Sequence, residues 1–344
     1  MSLFPNEIVK WYRIHHRDLP WRNTKEPYVI WLSEIILQQT RVSQGLPYFE
    51  TFIKEFPTVF DLAQASEEKV LRLWQGLGYY SRGRNLHYTA QHVVHEFKGV
   101  FPQTYKDLRQ LKGVGEYTAA AIASFSYDER VPVIDGNVYR VLSRYFGLET
   151  PIDSTEGRKE FRAIAETLIQ EQDPAEFNQA MMEFGALQCI PKGFDCSVCP
   201  VSATCEAHRS DRVGLLPFKS KKVKRSAKYY VYLVAQQKGS FVLEQRKSSG
   251  IWARMYTFPF FEIEGAQPSK RLLRASLEEQ FGGKIIDQQA LSFEKHVLTH
   301  QDIHYAFLPV EFHGSLPSET KWYTRAEIDE LPLPKLMEKY FSNL

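Results

Sequence analysis

Over residues 1–216 the apolar positions recur on a helical beat. In "EEKVLRLWQGLG" and "FRAIAETLIQEQ" they return at intervals of three and four, which gathers them on one face of a helix. Short Gly, Pro and Asp punctuation separates such stretches, so an all-α N-terminal domain is expected there. Residues 217–228, "PFKSKKVKRSAK", interrupt the beat with Lys219, Lys221, Lys222, Lys224, Arg225 and Lys228. A run of this kind is either a solvated interdomain linker or a strap that touches phosphates. From 229 to 344 the period changes. "KYYVYLVAQQKGSFVLEQRK" sets two runs of β-branched and aromatic residues around Lys238-Gly239, a hairpin signal. "SKRLLRASLEEQFGG" then predicts a helix and "IHYAFLPVEFH" a strand, so a small α+β domain is expected to follow the helical one.

Composition narrows the setting. A chain of 344 residues has room for two cores, and 43% hydrophobic with 24% charged residues is the balance of a soluble globular protein. No apolar run reaches the roughly 18–20 residues that span a bilayer. The opening "MSLFPNEIVKWYRIHHRD" turns polar too early for a secretory signal. A cytoplasmic protein with no membrane partner is therefore expected. The net charge of +2 does not by itself announce a nucleic-acid partner, so any such contact has to come from local patches.

All four cysteines lie in one loop, "CIPKGFDCSVCPVSATC", as Cys189, Cys196, Cys199 and Cys205. Two disulfides, a structural zinc or an iron–sulfur cluster would each use four thiols. A reducing compartment disfavours disulfides, which leaves metal. "LKGVGEYTAAAI" sets Gly113 and Gly115 between two apolar helical stretches. Glycines there let the turn come close to a ligand while the N–H groups of the next helix point outward, an arrangement that favours anions and phosphate above all. A tight connection between packed helices would need the same glycines.

"LKGVGEYTAAAI" followed by "VIDGNV" resembles the helix–hairpin–helix base-excision glycosylase superfamily. With "LPWR", "WLSEIILQQTRV", "GLGYYSRGRNL" and "FNQAMMEFGALQC", the resemblance is to its MutY-type adenine DNA glycosylases. It is strong over residues 10–206 and looser beyond. The cysteine spacing is similar to that of the cluster-bearing branches, which implies one 4Fe–4S cluster on Cys189, Cys196, Cys199 and Cys205; an all-cysteine zinc site stays the alternative. The implied activity is hydrolytic removal of adenine paired with 8-oxoguanine or guanine in duplex DNA, by a monomer that is nucleoid-associated when bound.

Breaking an N-glycosidic bond needs a proton for the leaving base and negative charge beside the sugar cation. Two carboxyls supply both if their surroundings separate their pKa values. Glu34, among Trp31, Leu32, Ile35 and Ile36, is the candidate acid, since desolvation raises a carboxyl. Asp135, just before a helix, is the candidate anion, favoured by helix-start N–H groups. The resemblance gives Glu34 the adenine N7 and Asp135 the oxocarbenium ion; Asp153 reads as helix-start chemistry. Bifunctional relatives carry a Schiff-base lysine where Tyr117 stands here, and a phenol forms no imine, so strand cleavage is not expected. The resemblance further implies Gln39 and Tyr79 as residues that fill the stack once a base is flipped out, and Trp21 and Arg22 as walls of the adenine pocket.

Residues 229–344 resemble the Nudix-like C-terminal domain of these enzymes. "RLLRASLEEQFGG" keeps Arg274, Glu278 and Glu279, but Ala275 stands where an acid is expected, so nucleotide hydrolysis is not expected. The family reads 8-oxoguanine through a Phe-Ser-His loop. Here "VLTHQ" offers Leu298, Thr299 and His300, with the ring replaced at 298. An endonuclease III-like glycosylase and lyase for oxidised pyrimidines, and a non-catalytic redox-sensing DNA-binding module, are the rival readings.

Overall fold

The computed structural model describes residues 3–220, 225–264, 283–285, 291–298, 300–312, 316 and 319–344. The chain divides into two compact units, Met1–Gln64 with Asn85–Lys221, and Ala65–Arg84 with Lys222–Leu344. No described helix is long and apolar enough to cross a membrane.

Every regular element described in the first unit is helical. In chain order α1 spans Leu3–His15, α2 Pro27–Leu37, α3 Val42–Glu55 and α4 Val59–Gln64; α5, Glu67–Leu73, belongs to the second unit. The order continues with α6 (Ser81–Phe97), which begins in the second unit and ends in the first, α7 (Tyr105–Leu108), α8 (Glu116–Tyr127) and α9 (Gly136–Phe146). α10 (Thr155–Leu168), α11 (Pro174–Leu187) and α12 (Glu206–Arg209) complete the unit. Two helices are apolar nearly all round and so lie inside. α2 starts at Pro27, which fits a first turn, and buries residues from Tyr28 to Ile36. α8 buries Thr118 to Phe125 and packs against α2. α9 is amphipathic, capped by Asp135 and ended by Gly147 in the left-handed region that glycine tolerates. Its inner face joins Phe4, Ile8, Phe161 and Phe184 of α1, α10 and α11 in one core. The cap of α10 is Ser154; Asp153 instead accepts hydrogen bonds from the Ser220 N–H and hydroxyl.

The second unit holds two sheets. β1 (Ser226–Val234) runs parallel to β8 (Gln301–Phe312) and antiparallel to β5 (Phe260–Ile263), while β6 (Gly283–Ile285) and β7 (Glu294–Val297) pair with β8. The other sheet joins β2 (Gln236–Gln237), β3 (Ser240–Gln245), β4 (Tyr256–Thr257) and β9 (Thr320–Thr324). Helices α13 (Arg325–Glu330) and α14 (Lys335–Ser342) close the chain. The hairpin at Lys238-Gly239 forms, with both residues at positive φ as a tight two-residue turn requires. Across it Gln236 and Gln237 pair with β3, and Ala235 accepts the Val242 N–H at 3.2 Å. The apolar run before them peels off as β1 and is buried in the other sheet. The expected helix over 269–283 lies largely outside the described residues, as do Lys221, Lys222 and Lys224. Of the basic run, Lys228 pairs with Glu262 at 2.9 Å and Arg225 faces Asp302 at 3.9 Å.

Candidate active site and cysteine centre

Glu34 sits midway along α2 and is 5% exposed. Burial pushes its carboxyl up to about 7, against a hydrogen bond from the Tyr117 phenol; the charge of Asp135 adds to the rise and that of Arg22 opposes it. Tyr117 is the second residue of α8, and burial holds its own phenol well above the usual tyrosine range, so it stays a donor.

Asp135 caps α9. Its Oδ1 accepts the Asn137 and Val138 N–H groups at 2.8 Å each, and its Oδ2 accepts Asn137 Nδ2 at 2.7 Å. The helix-start donors anticipated from sequence are present. The expectation that they dominate needs correction, because burial outweighs them and the Asp135 carboxyl lies above the ordinary aspartate range. Donors offset only part of the cost of taking the charge out of water.

Sequence reasoning passed over Asn137 and Arg140. Arg140 Nη2 donates to Asn137 Oδ1 at 2.9 Å and to the Gly185 carbonyl at 2.6 Å, while Nε donates to the Cys189 carbonyl at 2.7 Å. A side-chain chain thus runs from Asp135 to the cysteine loop. Gly185 allows it: a Cβ there would meet Asn137 at 2.6 Å. The available signal was the spacing Asp135, Asn137, Arg140, which stacks three polar groups over the first turn of α9.

Trp21 lies in the short 3-10 turn Pro20–Arg22, buried edge-on against Phe49. Arg22, expected as a wall of the adenine pocket, is held by a carboxylate, and its charge acts on Glu34. Its Nη1 donates to Glu183 Oε1 at 3.0 Å and the Arg17 carbonyl at 2.9 Å, and its Nη2 to Glu183 Oε2 at 2.7 Å. Arg17 grips the same carboxylate at 2.8 and 2.6 Å. Burial alone would raise Glu183, but the hydrogen bonds from Arg17 and Arg22 bring it down to about 2. Glu183 was the missed member; a lone glutamate inside "FNQAMMEFGALQC" carries no mark of its two arginines.

Gln39 and Tyr79 are both exposed, and both have left-handed backbones, φ 59° and φ 46°. Non-glycine residues in that region are uncommon and cluster at functional positions. Gly113 has φ 79°, and a Cβ there would meet Asn85 at 2.9 Å. Gly115 is the N-cap of α8 with φ −84°, no side-chain cap, and open space where a Cβ would point. Lys112 beside them lies 4.2 Å from the Tyr88 ring centroid.

Within the second unit, Tyr79, Trp252, His296, Leu298 and His300 line one cleft of about 700 Å³. The turn bearing His300 is fixed by Leu298 N–H to the Gln301 carbonyl at 2.8 Å and by Ser226 N–H to the His300 carbonyl at 3.1 Å. Thr299 lies outside the described residues. Trp252 and His296 were not anticipated; they come from separate loops and strands that only the fold unites.

The four cysteines are unpaired as disulfides and line a single cavity of about 30 Å³. Phe184, Val201 and Val213 form its apolar wall. Buried Arg144 faces it, with Nη1 3.4 Å from Cys189 Sγ and further bonds to the carbonyls of Ile190, Pro191 and Leu216. Four thiols around one pocket, with a cation to balance thiolate charge, fit an iron–sulfur group. Among the described residues no three His, Cys, Asp or Glu side chains are grouped as ligands of a single ion.

Two family models match: the HhH-GPD superfamily base excision DNA repair protein over residues 32–170 and the NUDIX domain over residues 230–343. The adenine DNA glycosylase of Buchnera aphidicola subsp. Schizaphis graminum is 32% identical, with 98% of this chain and 97% of that protein covered. That of Homo sapiens is 31% identical over 99% of this chain and 74% of its own length. Among solved structures, a thermostable thymine-DNA glycosylase matches with a TM-score of 0.56 and 28% identity, covering 60% of this chain and 96% of that one. A non-covalent endonuclease III–DNA complex shares the fold, with a TM-score of 0.53 and 19% identity over 60% of this chain and 94% of that one.

Proposed function

From the premise that this chain belongs to the adenine DNA glycosylase family, we propose that it excises adenine opposite 8-oxoguanine or guanine and leaves the strand intact, with Glu34 and Asp135 as the catalytic pair. The observation that carries this reading is a buried carboxyl raised to about 7, hydrogen-bonded to Tyr117 and within the field of a second carboxyl. A group with that pKa holds a proton near neutrality and can give it up in a transition state.

The adenine leaves the stack to reach the carboxyls; the resemblance gives Gln39 and, separately, Tyr79 a part in filling a vacated stack. Glu34 protonates N7, the bond between the sugar and the base breaks, and its electron pair departs with adenine. Ionised Asp135 stabilises the oxocarbenium ion that remains. Water then adds to the sugar. Asn137 orients Asp135 by holding Oδ2, and Tyr117 orients Glu34. Because position 117 carries no amine, no covalent imine forms and the abasic strand stays whole. Trp21 shapes the pocket wall, and Arg22 serves it by locking the Glu183 clamp. Gly113 and Gly115 bring the hairpin backbone to a DNA phosphate.

Cys189, Cys196, Cys199 and Cys205 would hold one 4Fe–4S cluster, which supplies a rigid, buried cross-link to the loop beside α9. In the second unit, His300 and Tyr79 share a cleft suited to the base opposite, and Thr299 joins them on sequence grounds. Residues 229–344 then form the lesion-reading domain, 1–216 the catalytic one and 217–228 the linker, in a monomer acting in the cytoplasm.

The test is single-turnover excision from duplexes carrying adenine opposite 8-oxoguanine, guanine or thymine. Release opposite the first two but not the third, without strand scission, is expected. Excision of oxidised pyrimidines with spontaneous nicking would overturn the reading in favour of an endonuclease III-like enzyme.

A further inference from the structure

The turn that presents Tyr79 has an unusual backbone. Gly76, Gly78 and Tyr79 have φ of 95°, 71° and 46°. Glycine adopts such angles freely and tyrosine does not, so surrounding contacts must over-determine the tyrosine. Arg82 makes those contacts. Its Nη2 donates to the carbonyls of Leu77 at 3.3 Å and Gly78 at 3.4 Å, and its backbone N–H to that of Tyr79 at 2.8 Å. The guanidinium lies over two rings, 5.1 Å from the centroid of Trp74 and 5.9 Å from that of Tyr79.

Trp74 is the fixed side of this arrangement. It is fully buried, its Nε1 donates to the Gly78 carbonyl at 3.0 Å, and Gly83 lies so close that a Cβ there would meet the indole at 3.0 Å. A planar guanidinium can hold two carbonyls in its plane and lie over two rings, which an ammonium cannot. Tyr79 is 42% exposed, and the contacts described for its ring come from Arg82 beneath it.

We infer that Arg82 is a positioning residue that holds the Tyr79 ring at the cleft shared with His300, and that it acts through Tyr79 rather than through DNA phosphate. The inference rests on the reading of Tyr79 as a stacking residue. It withholds from Arg82 the role that a basic residue in a DNA-binding protein would otherwise receive by default, namely neutralising a phosphate. The two roles differ in what a lysine can replace and in what salt does. A phosphate contact tolerates lysine and contributes about one unit to the slope of log binding constant against log salt. A two-ring, two-carbonyl support does neither.

The experiment compares full-length wild type, Arg82→Lys, Arg82→Met, Tyr79→Ala and the two Arg82 substitutions combined with Tyr79→Ala. Each is assayed for the single-turnover rate ratio for adenine opposite 8-oxoguanine and opposite guanine, for the salt slope of binding, and for melting temperature. Loss of a desolvated cation–ring support predicts a fall in the ratio of roughly three- to thirtyfold for both Arg82 variants. The salt slope should be unchanged, and neither substitution should have a further effect in the Tyr79→Ala background. If Arg82→Met does not fold, Arg82→Lys carries the comparison. A wild-type ratio in Arg82→Lys, a slope lowered by about one, or a full additional loss on top of Tyr79→Ala each overturns the inference while leaving Tyr79 in place. An unchanged ratio in Tyr79→Ala alone overturns the reading of Tyr79 itself, and the inference with it.

Discussion

Tyr117 hydrogen-bonds the carboxyl of Glu34 at the contact between two buried helices, α2 and α8. The position at which the resemblance would place a lyase's amine is thereby hydrogen-bonded to the proposed acid. The proposed monofunctional chemistry rests on this one side chain, since a phenol that hydrogen-bonds Glu34 offers no amine for an imine.

The pH profile should report this pair. In the proposed mechanism Glu34 acts as an acid and needs its proton. Raised to about 7, it keeps that proton below neutrality and loses it above, so the single-turnover rate should fall as pH rises through about 7. In the same proposal Asp135 acts as an anion, and its raised carboxyl places the acidic limb above the range of an ordinary aspartate. Stability moves with the same groups. The contribution of protonated Glu34 is complete below the ordinary glutamate range and is lost as pH rises through about 7. Glu34→Gln should abolish excision and remove that decline. Rates measured across roughly pH 5–9 that stay flat on the alkaline side would remove Glu34 as the acid.

Asp135→Asn keeps the shape of the α9 cap but not the charge beside the sugar. Loss of a positioned charge of this type costs roughly a hundred- to a thousandfold in rate, with DNA binding retained. Asn137→Ala should slow chemistry less, because it frees Oδ2 without removing the anion. A single-turnover rate for Asp135→Asn within about tenfold of wild type would take Asp135 out of the mechanism.

Tyr117→Lys places an amine where Tyr117 stood, in surroundings that lower an amine pKa by burial. Borohydride-trappable Schiff base should appear on product DNA. Adenine release should fall as well, since an ammonium beside Glu34 favours the carboxylate. Quantitative trapping by the unsubstituted enzyme would contradict monofunctional action.

How much of this was legible in the sequence depends on whether the cause was local. Glu34 could be anticipated because its helix is apolar on all sides, and Asp135 because a cap precedes α9. The balance at Asp135 was not legible, because burial is a property of the assembled helices. Arg22 was named for the adenine pocket by resemblance; its clamp on Glu183 was not legible, because the two lie 161 residues apart and nothing local pairs them. The run before Lys238-Gly239 looked like one arm of a hairpin. Its eventual partner, β8, begins at Gln301, and parallel pairing over such a separation leaves no short-range mark. Gln39 and Tyr79 were named by resemblance; their left-handed backbones had no sequence signature beyond the glycines beside Tyr79.

The cysteine loop should bring iron and acid-labile sulfide in equal amounts, about four of each per chain, with visible absorbance in protein prepared without oxygen. Cys199→Ala should lower both contents together and reduce melting temperature, because the loop contacts α9 through Arg140 and Arg144. Stoichiometric zinc without sulfide would show that the thiols hold a single ion.

The two hairpin glycines should separate folding from binding. Gly113 is left-handed at φ 79°, and a Cβ there runs into Asn85 at 2.9 Å. Gly113→Ala therefore carries both backbone strain and a clash, and should destabilise the protein by about 1–3 kcal/mol. Gly115 has an ordinary φ of −84° and open space beyond it, so Gly115→Ala has no steric reason to unfold anything. Its Cβ instead intrudes where a phosphate would approach the uncapped N–H groups at the start of α8. Gly115→Ala should thus keep a wild-type melting temperature and weaken duplex binding, while Gly113→Ala lowers melting temperature first. Measuring both properties for both variants at one salt concentration decides the matter. Equal binding by wild type and Gly115→Ala would show that the turn is only a connection between packed helices, and that phosphate is held elsewhere.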